Sequence, residues 1–452
     1  MTNTYEKLIK EVVESGLCTH CGTCVGLANG QLKMKETKNG PIPISTINNP
    51  VLNNLVYDAC PGKGINYPVL IDNIFPSKVN DWRIGFYNNI FIGFSLNSLL
   101  RRNGASGGVI TSLLIYLLNK GFIDGAVTLK QGSPKPWLAE PIIATTEEEI
   151  IQCAQSVYAP IPVNIIIEDI KHFHGNLAFI GLPDQVSSIR FLQSKNVIWT
   201  KKIKYFFGPY VGTNLYSEAI ENFIKSNGYK KLEEIKRMKY RDGEWPGYLS
   251  ITMNDGQILK SEKFYYNYLI PFFITKASLL SVDFTNELTD ISVGDAWHPK
   301  YESKGEGYSV IVARSKKGLD LLMGMKDQKQ ISLTKIKLQE ATDMHSHMID
   351  FKKRGAFIRF RFRKLFGLKV PEFGYIPEKI SSQRLIVELF ISIIFFIGGT
   401  KLVRYLVVFI PIKFIGPFFN FIRIKWKSIS KSTKRKNLDS YKVILKQPEY
   451  FG

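Results

Sequence analysis

Cys18-Thr-His-Cys21-Gly-Thr-Cys24, answered later by Cys60-Pro61-Gly62, is the stretch on which the reading of this chain turns. Only five cysteines occur in 452 residues, and three of them fall within these seven positions. Two-residue spacing lets successive thiolates curl around one small inorganic core while a fourth ligand arrives from elsewhere. Iron–sulfur cubanes are commonly held this way, with a proline after the last ligand. Gly22 is expected to let the backbone approach the cluster without a Cβ in the way. A four-cysteine zinc site is the competing reading, but zinc usually pairs two knuckles and Cys60 has no near partner. Disulfides fit poorly without an oxidising compartment. Cysteines buried simply as small apolar residues do not normally crowd together. The spacing therefore favours a [4Fe–4S] cluster on Cys18, Cys21, Cys24 and Cys60, and leaves Cys153 as a core residue.

Around that stretch the composition is that of a globular protein of two or three domains, with 45% apolar residues and 13% aromatics. The start, Met1-Thr-Asn-Thr-Tyr-Glu-Lys7, has no apolar signal core, so a reducing, cytoplasmic location is expected. The net charge of +21 is unevenly spread. Residues 352–452 carry 22 Lys and Arg against 5 Asp and Glu, leaving a nearly neutral body and a strongly basic tail. Nucleic acid and anionic lipid are the partners such a tail suggests.

In chain order, Tyr5 to Glu14 reads as a helix with Leu8, Ile9, Val12 and Val13 on one face, ended by Gly16. Asn39-Gly40-Pro41 marks a hairpin-like turn. A linker containing Pro76 and Asp81-Trp82 leads to Arg101-Arg-Asn-Gly-Ala-Ser-Gly-Gly108, which runs into the apolar helix Val109 to Leu118. Such a loop presents N–H groups to phosphate at the positive end of a helix, and Arg101 and Arg102 would add charge. A lone glycine-rich loop is weak evidence, however, and by itself this stretch reads sooner as an ordinary tight turn before a buried helix. Gly125 to Leu129, Ile142 to Ala144, Asn176 to Ile180, Lys204 to Gly212 and Gly307 to Arg314 read as strands. Helices open at Thr146, Asp184 and Lys317. Strands that end in Gly/Pro loops and feed helices suggest an α/β layer with its ligand edge at those loops. Lys230 to Lys239 reads as a basic helix, with Glu244-Trp-Pro-Gly247 starting a hairpin through Asn254-Asp-Gly256. Gly294-Asp295 in isolation reads as a strand-end turn. His345 and His347 have no third ligand near them, and no Ser/His/Asp or Cys/His set argues for nucleophilic catalysis.

Taken together, these motifs resemble the beta subunit of coenzyme F420 hydrogenase and dehydrogenase, from the cysteine loop to about residue 360. The matching stretches are the four cysteines, Ala105-Ser106-Gly107-Gly108-Val109, Gly181-Leu-Pro183-x-Gln185, Trp245-Pro246-Gly247, Thr289-Asp290-Ile-Ser-Val-Gly294-Asp295-Ala-Trp297 and Tyr308-Ser309. The resemblance implies a flavoprotein oxidoreductase that passes electrons between a hydride carrier (F420 or similar), FAD and iron–sulfur centres. It implies that Ser106, Gly107 and Gly108 cradle FAD, and that Tyr158, Pro183, Gln185, Trp245 and Asp295 neighbour flavin or substrate. A redox partner protein or ferredoxin is implied as well. Where many members carry cysteines this chain has Asp184, Val211, Ser278 and Ser281, so one cluster is expected rather than two. The alternatives are a non-catalytic electron-relay or assembly subunit, and a membrane-associated reductase in cell-surface glycan or lipid synthesis.

The expected fold is α/β (α+β), with a small N-terminal iron–sulfur segment (1–80) and a basic, apolar C-terminal helical tail (351–452). Between them lie an FAD-binding part (81–215) and a second α/β part (216–350). In the tail, Phe357-Ile-Arg-Phe-Arg-Phe-Arg-Lys-Leu-Phe366 precedes an apolar run, Leu385 to Thr400, whose sole charge is Glu388. No charge-free apolar run reaches about 18 residues, so a spanning helix is not expected. Aromatic and aliphatic residues interleaved with Lys and Arg suit helices lying in an anionic membrane interface on its inner face. Docking onto the body or a partner subunit competes with that reading. Nucleic acid would leave the apolar bulk unused and is not expected.

Overall fold

The computed structural model describes residues 3–75, 79–261, 268–410 and 412–445. Pro76 of the expected linker and Pro411 of the tail lie outside the described residues. A hairpin of β1 (Leu32–Lys35) and β2 (Ile42–Ser45) follows the cysteine loop. Then come β3 (Asn89–Ser95), β4 (Gly125–Gln131), β5 (Ala139–Ala144), β6 (Leu177–Ile180) and β7 (Ile203–Pro209). The strands β8 (Ile235–Asp242), β9 (Tyr248–Met253) and β10 (Ile258–Lys260) make a separate antiparallel sheet. After it the chain returns as β11 (Ile291–Asp295), β12 (Ser309–Ala313) and β13 (Ile331–Lys335).

These join β3 to β7 in one eight-stranded sheet of order β13-β3-β12-β11-β7-β6-β4-β5. Its centre, β4-β6-β7-β11, is parallel, and the flanking strands are antiparallel. The sheet thus takes strands from both 81–215 and 216–350. Both of its faces are covered, which is why the central strands are apolar throughout rather than alternating. Ala126, Ala178 and Phe207 face helices Val109–Asn119 and Lys316–Asp327. The next residues in register, Val127, Phe179 and Phe206, face helices Pro183–Ser194 and Ala356–Leu365. This is the expected α/β architecture, and Thr146 opens helix Glu147–Gln152 as expected, forming a capping box with Glu149.

One element is corrected. Of the basic segment Lys230 to Lys239, only Leu232–Glu234 forms a helical turn, and from Ile235 onward it is strand β8. Its register against β9 shifts between Ile235 and Arg237. That bulge puts the buried Ile235 and Met238 three residues apart, so a strand mimics helical spacing.

The tail packs on the body. Helix Ser382–Gly398 turns Arg384, Glu388 and Ile391 inward. Arg384 meets Asp350 at 2.8 Å and Glu388 at 2.7 Å, Arg354 meets Asp350 at 2.6 Å, and Arg359 pairs with Glu388. The only acid of the apolar run therefore faces protein. Strand β14 (Tyr375–Pro377) pairs with β15 (Val443–Leu445), returning the far end of the described tail to the body.

Candidate functional site

The carboxyl ends of β6, β7 and β11 point to one edge of the sheet, where Ser95 at the end of β3 and Ser309 at the start of β12 also lie. Residues at this edge come from many segments, as expected where ligand sites form in open α/β sheets.

Beside it sits the cysteine loop. Cys21, Cys24 and Cys60 are buried and Cys18 partly so. Cys24 feels the charge of the other three thiols, and Cys18 that of Cys60 and Cys21, so the fold brings Cys60 to the other three. Burial pushes all four thiols up. Backbone donors oppose this: His20 at Cys18, Val25 at Cys24, and Gly62 and Lys63 at Cys60. The Thr23 hydroxyl lies 3.2 Å from the Cys21 sulfur. N–H groups aimed at sulfur are what tune cluster potentials. Among the described residues no three His, Cys, Asp or Glu side chains stand close enough to hold one metal ion.

Gly22 has a different role from the expected one. With φ +84°, its absent Cβ would meet the Pro162 carbonyl at 2.8 Å and Ile165 at 2.8 Å. It therefore admits the 162–165 turn, not the cluster. Asn164 locks that turn in place: its N–H donates to the Cys21 carbonyl at 2.8 Å, and its Nδ2 to Thr23 Oγ1 at 2.8 Å and the Gln185 carbonyl at 3.1 Å. Gln185 accepts from Leu182 N–H at 2.8 Å and donates to the Ile161 carbonyl at 3.0 Å. Pro183 is the first residue of its helix and is buried. Pro183 and Gln185 thus brace the cysteine loop.

The remaining candidates converge on a residue the sequence reading missed. Arg241 of β8 donates to Tyr158 OH at 2.8 Å, to the Ala105 carbonyl at 2.6 Å and to Asp295 at 3.2 Å, and it also bonds the Pro246 carbonyl. Trp245 Nε1 donates to the same Asp295 carboxylate at 2.8 Å, and its ring lies 4.8 Å from that of Trp297. Burial works against the Arg241 charge, but Asp295 and Tyr158 more than compensate, so the guanidinium stays charged. One cation therefore joins β8, the 105–108 loop, Tyr158, the Trp245 turn and the end of β11.

In the glycine-rich loop, Gly107 N–H and the Ser106 hydroxyl both meet Ser309 Oγ, at 2.9 and 2.5 Å. A Cβ on Gly107 would strike the Gly93 carbonyl, and one on Gly108 (φ +71°) the Leu100 carbonyl. Both glycines are thus required by protein packing. The following helix has no side-chain cap, which leaves its first N–H groups for another acceptor. Arg101 bonds the Gly307 carbonyl at 2.9 Å and pairs with Glu306 at 3.0 Å, while its Nη2 is buried without a partner. Uncapped amides beside an orphaned guanidinium nitrogen fit an anionic group such as a phosphate.

Positions read as lacking a thiol also meet. Burial pushes the Asp184 carboxyl up, opposed by the Lys352 ammonium. Lys352 in turn is pulled down by burial, and its Nζ donates to the Ser278 carbonyl at 2.8 Å. Lys352 reaches inward because Phe351–Gly355 is a π-turn with all five residues buried. Asp184 also lies within electrostatic range of Cys18 and Cys21. An acid–base pair thus occupies the space next to the cysteine loop.

His345 packs edge-on to Tyr210 at 5.2 Å, and its Nε2 is buried without a partner. Burial lowers it to about 4, with Asp295 opposing. The unfolded residue protonates near pH 6.5. Between these values the unfolded state binds more protons, so stability present above about pH 6.5 is lost as pH falls toward 4. The expected loss by pH 5 is about 2 kcal/mol, and His345→Leu should abolish that part. Urea midpoints of both proteins at pH 7.5 and pH 5 check this; parallel losses in the two would refute it.

A cavity of about 780 Å³ opens at the opposite ends of the strands around Arg190, Asp290 and Lys317. It contains none of the candidate residues. Asp290 is engaged there by Phe206 N–H at 2.8 Å, Lys317 at 3.1 Å and Arg190 at 3.5 Å, a structural knot.

Two family models match: coenzyme F420 hydrogenase/dehydrogenase beta subunit N-term over residues 90–168, and its C terminus over residues 174–339. The coenzyme F420-dependent sulfite reductase of Methanocaldococcus jannaschii is 24% identical over 352 residues, which is 74% of this chain and 50% of that protein. The match thus spans about half the length of that relative. The coenzyme F420 hydrogenase subunit beta of Methanosarcina barkeri is 23% identical over 54% of this chain and 80% of its own length. The corresponding protein of Methanothermobacter thermautotrophicus, also a coenzyme F420 hydrogenase subunit beta, is 25% identical over 53% and 81%. Among solved structures, a chain of the F420-reducing [NiFe] hydrogenase complex from Methanosarcina barkeri superposes with a TM-score of 0.52 at 20% identity, covering 65% of this chain and 98% of that one. With more than half of its residues matched by the two models, and with the fold of a solved F420-reducing hydrogenase chain, this protein belongs to the family of coenzyme F420 hydrogenase/dehydrogenase beta subunits.

Proposed function

We propose that the chain is an oxidoreductase linking a two-electron hydride carrier to one-electron transfer. In this reading one [4Fe–4S] cluster is held by Cys18, Cys21, Cys24 and Cys60. The uncapped helix following Gly108, with Arg101 beside it, would hold the phosphates of FAD. Coenzyme F420 approaches the face built on Arg241, Trp245 and Asp295, and ferredoxin or another redox protein handles single electrons. Bound there, a flavin would exchange electron pairs as hydride and single electrons with the cluster.

The observation that carries this reading is the segment from Tyr158 to Asn164. Tyr158 bonds Arg241, Ile161 bonds Gln185, and Asn164 bonds the Cys21 carbonyl. Even fully extended, these six residue steps hold the Tyr158 and Asn164 backbones within roughly 20 Å of each other, so one short stretch of chain ties the Arg241 hub to the cysteine loop. The chain's own contributions are positional. Arg241 fixes Asp295 and Tyr158, Trp245 and Trp297 offer a flat apolar face, and burial keeps the thiols from water.

A second reading, an electron relay without bound flavin, is favoured by the glycine loop, whose glycines serve protein packing. An anaerobic preparation supplied with FAD is expected to oxidise reduced F420 and pass the electrons to ferredoxin or a dye. Arg241→Leu should lower that rate at least about 100-fold, the scale of losing one preorganised charged donor. Cluster without flavin binding would instead support the relay. Flavin binding without carrier oxidation would rule out F420 as the hydride carrier.

A further inference from the structure

We infer that the outer face of the tail is a docking surface for an anionic lipid bilayer, on which the chain lies without crossing it. Helix Ser382–Gly398 is clamped to the body by its inner face. Arg384 and Glu388 are buried in the ion-pair network, Ile391 is buried, and a Cβ on Gly398 would strike the Pro271 carbonyl at 2.5 Å. Docking onto the body therefore accounts for that face alone. The opposite face is apolar and open: Ile386, Phe390, Ile394 and Ile397 are exposed, and Phe396 is 79% exposed. Leu402, Tyr405 and Phe409, along Lys401–Val407 and the residues just after, are exposed as well. In helix Ile412–Arg435, Phe414, Phe418 and Phe421 stand four and three residues apart, on one helical face, and all three are exposed. Large apolar side chains left exposed along successive helices in this way mark an interaction surface.

Charge selects the occupant. Residues 389–438 contain ten Lys and Arg and no Asp or Glu. Of these, Lys401, Lys425, Lys431, Arg435 and Lys436 are exposed. An apolar face bordered by lysines and arginines complements acyl chains beneath acidic headgroups, whereas protein interfaces deplete lysine.

The same contacts argue against spanning. Among the described residues no single helix is long and apolar enough to cross a membrane, and the pair Ser382–Gly398 and Lys401–Val407 is bent by 73°. Asp350 holds Arg384 and Arg359 holds Glu388, so lipid cannot surround the first helix.

The test is co-sedimentation of the anaerobically purified full chain with vesicles of phosphatidylcholine alone, or with about 30% phosphatidylserine, at about 0.1 M and 0.5 M salt. Pelleting with the anionic vesicles is expected, falling several-fold at high salt but persisting. The triple change Phe390→Ser, Phe396→Ser and Phe409→Ser should weaken binding at least about tenfold at both salts while leaving the circular dichroism unchanged. These residues are exposed and outside the ion-pair network, and Phe396→Ser alone serves if the triple variant misfolds. Failure to pellet with either vesicle would overturn the proposal. So would binding indifferent to the serines, or a stable dimer or subunit complex that buries this face and excludes vesicles. None of these results bears on the redox reading, which is assayed without lipid.

Discussion

Asp350→Ala is expected to destabilise the protein by about 3–5 kcal/mol, the usual result of removing one partner from a buried ion pair. Asp350 is fully buried and accepts from Arg354 at 2.6 Å and from Arg384 at 2.8 Å. Alanine would leave two guanidinium groups facing each other, with only Glu388 nearby to neutralise Arg384. Replacing the whole network by apolar residues of similar volume would cost far less, because paired charges largely offset their own desolvation. The network therefore fixes where the tail sits more than it adds stability. Denaturant midpoints check this, and a loss below about 1 kcal/mol would mean that the side chains of the network are not closed off from water as described.

Cys60→Ala is expected to abolish stable cluster retention, whereas Cys153→Ala should leave iron content unchanged. Cys60 precedes the turn Pro61–Lys63, whose Gly62 and Lys63 amides face its sulfur. Alanine removes a ligand without disturbing that turn. Because a cluster binds the folded chain and not the unfolded one, its loss should also lower thermal stability. Visible absorbance of anaerobic preparations, together with melting curves run with and without chelator, reads both effects. If Cys60→Ala and the unaltered chain hold equal iron, the four-sulfur arrangement is wrong.

The parts of this molecule legible in the sequence were those written in local spacing. Cys18, Cys21 and Cys24 announce themselves because a two-residue interval has few other uses. The central strands were visible because burial on both faces makes them apolar over their length. Arg241 was not visible. Its importance comes from partners at Ala105, Tyr158, Pro246 and Asp295, which only the sheet edge brings together. Asp295 alone looked like a turn residue for the same reason. Strand β8 was misread because a bulge gives its buried side chains helical spacing. Gly22 was assigned to the cluster because the 162–165 turn against which it packs is distant in the chain. Glu388 stood as the sole charge of an apolar run because one of its arginine partners, Arg359, lies on another helix, and the other, Arg384, is turned toward it only once their own helix forms.

Four thiolates converging on one inorganic centre next to a flavin site are the core of the proposed chemistry. Iron and acid-labile sulfide measured on the anaerobically purified, unaltered chain test it most directly. About four of each per chain, with broad visible absorbance, is the predicted result. One zinc per chain with no sulfide, or no metal at all, would contradict it.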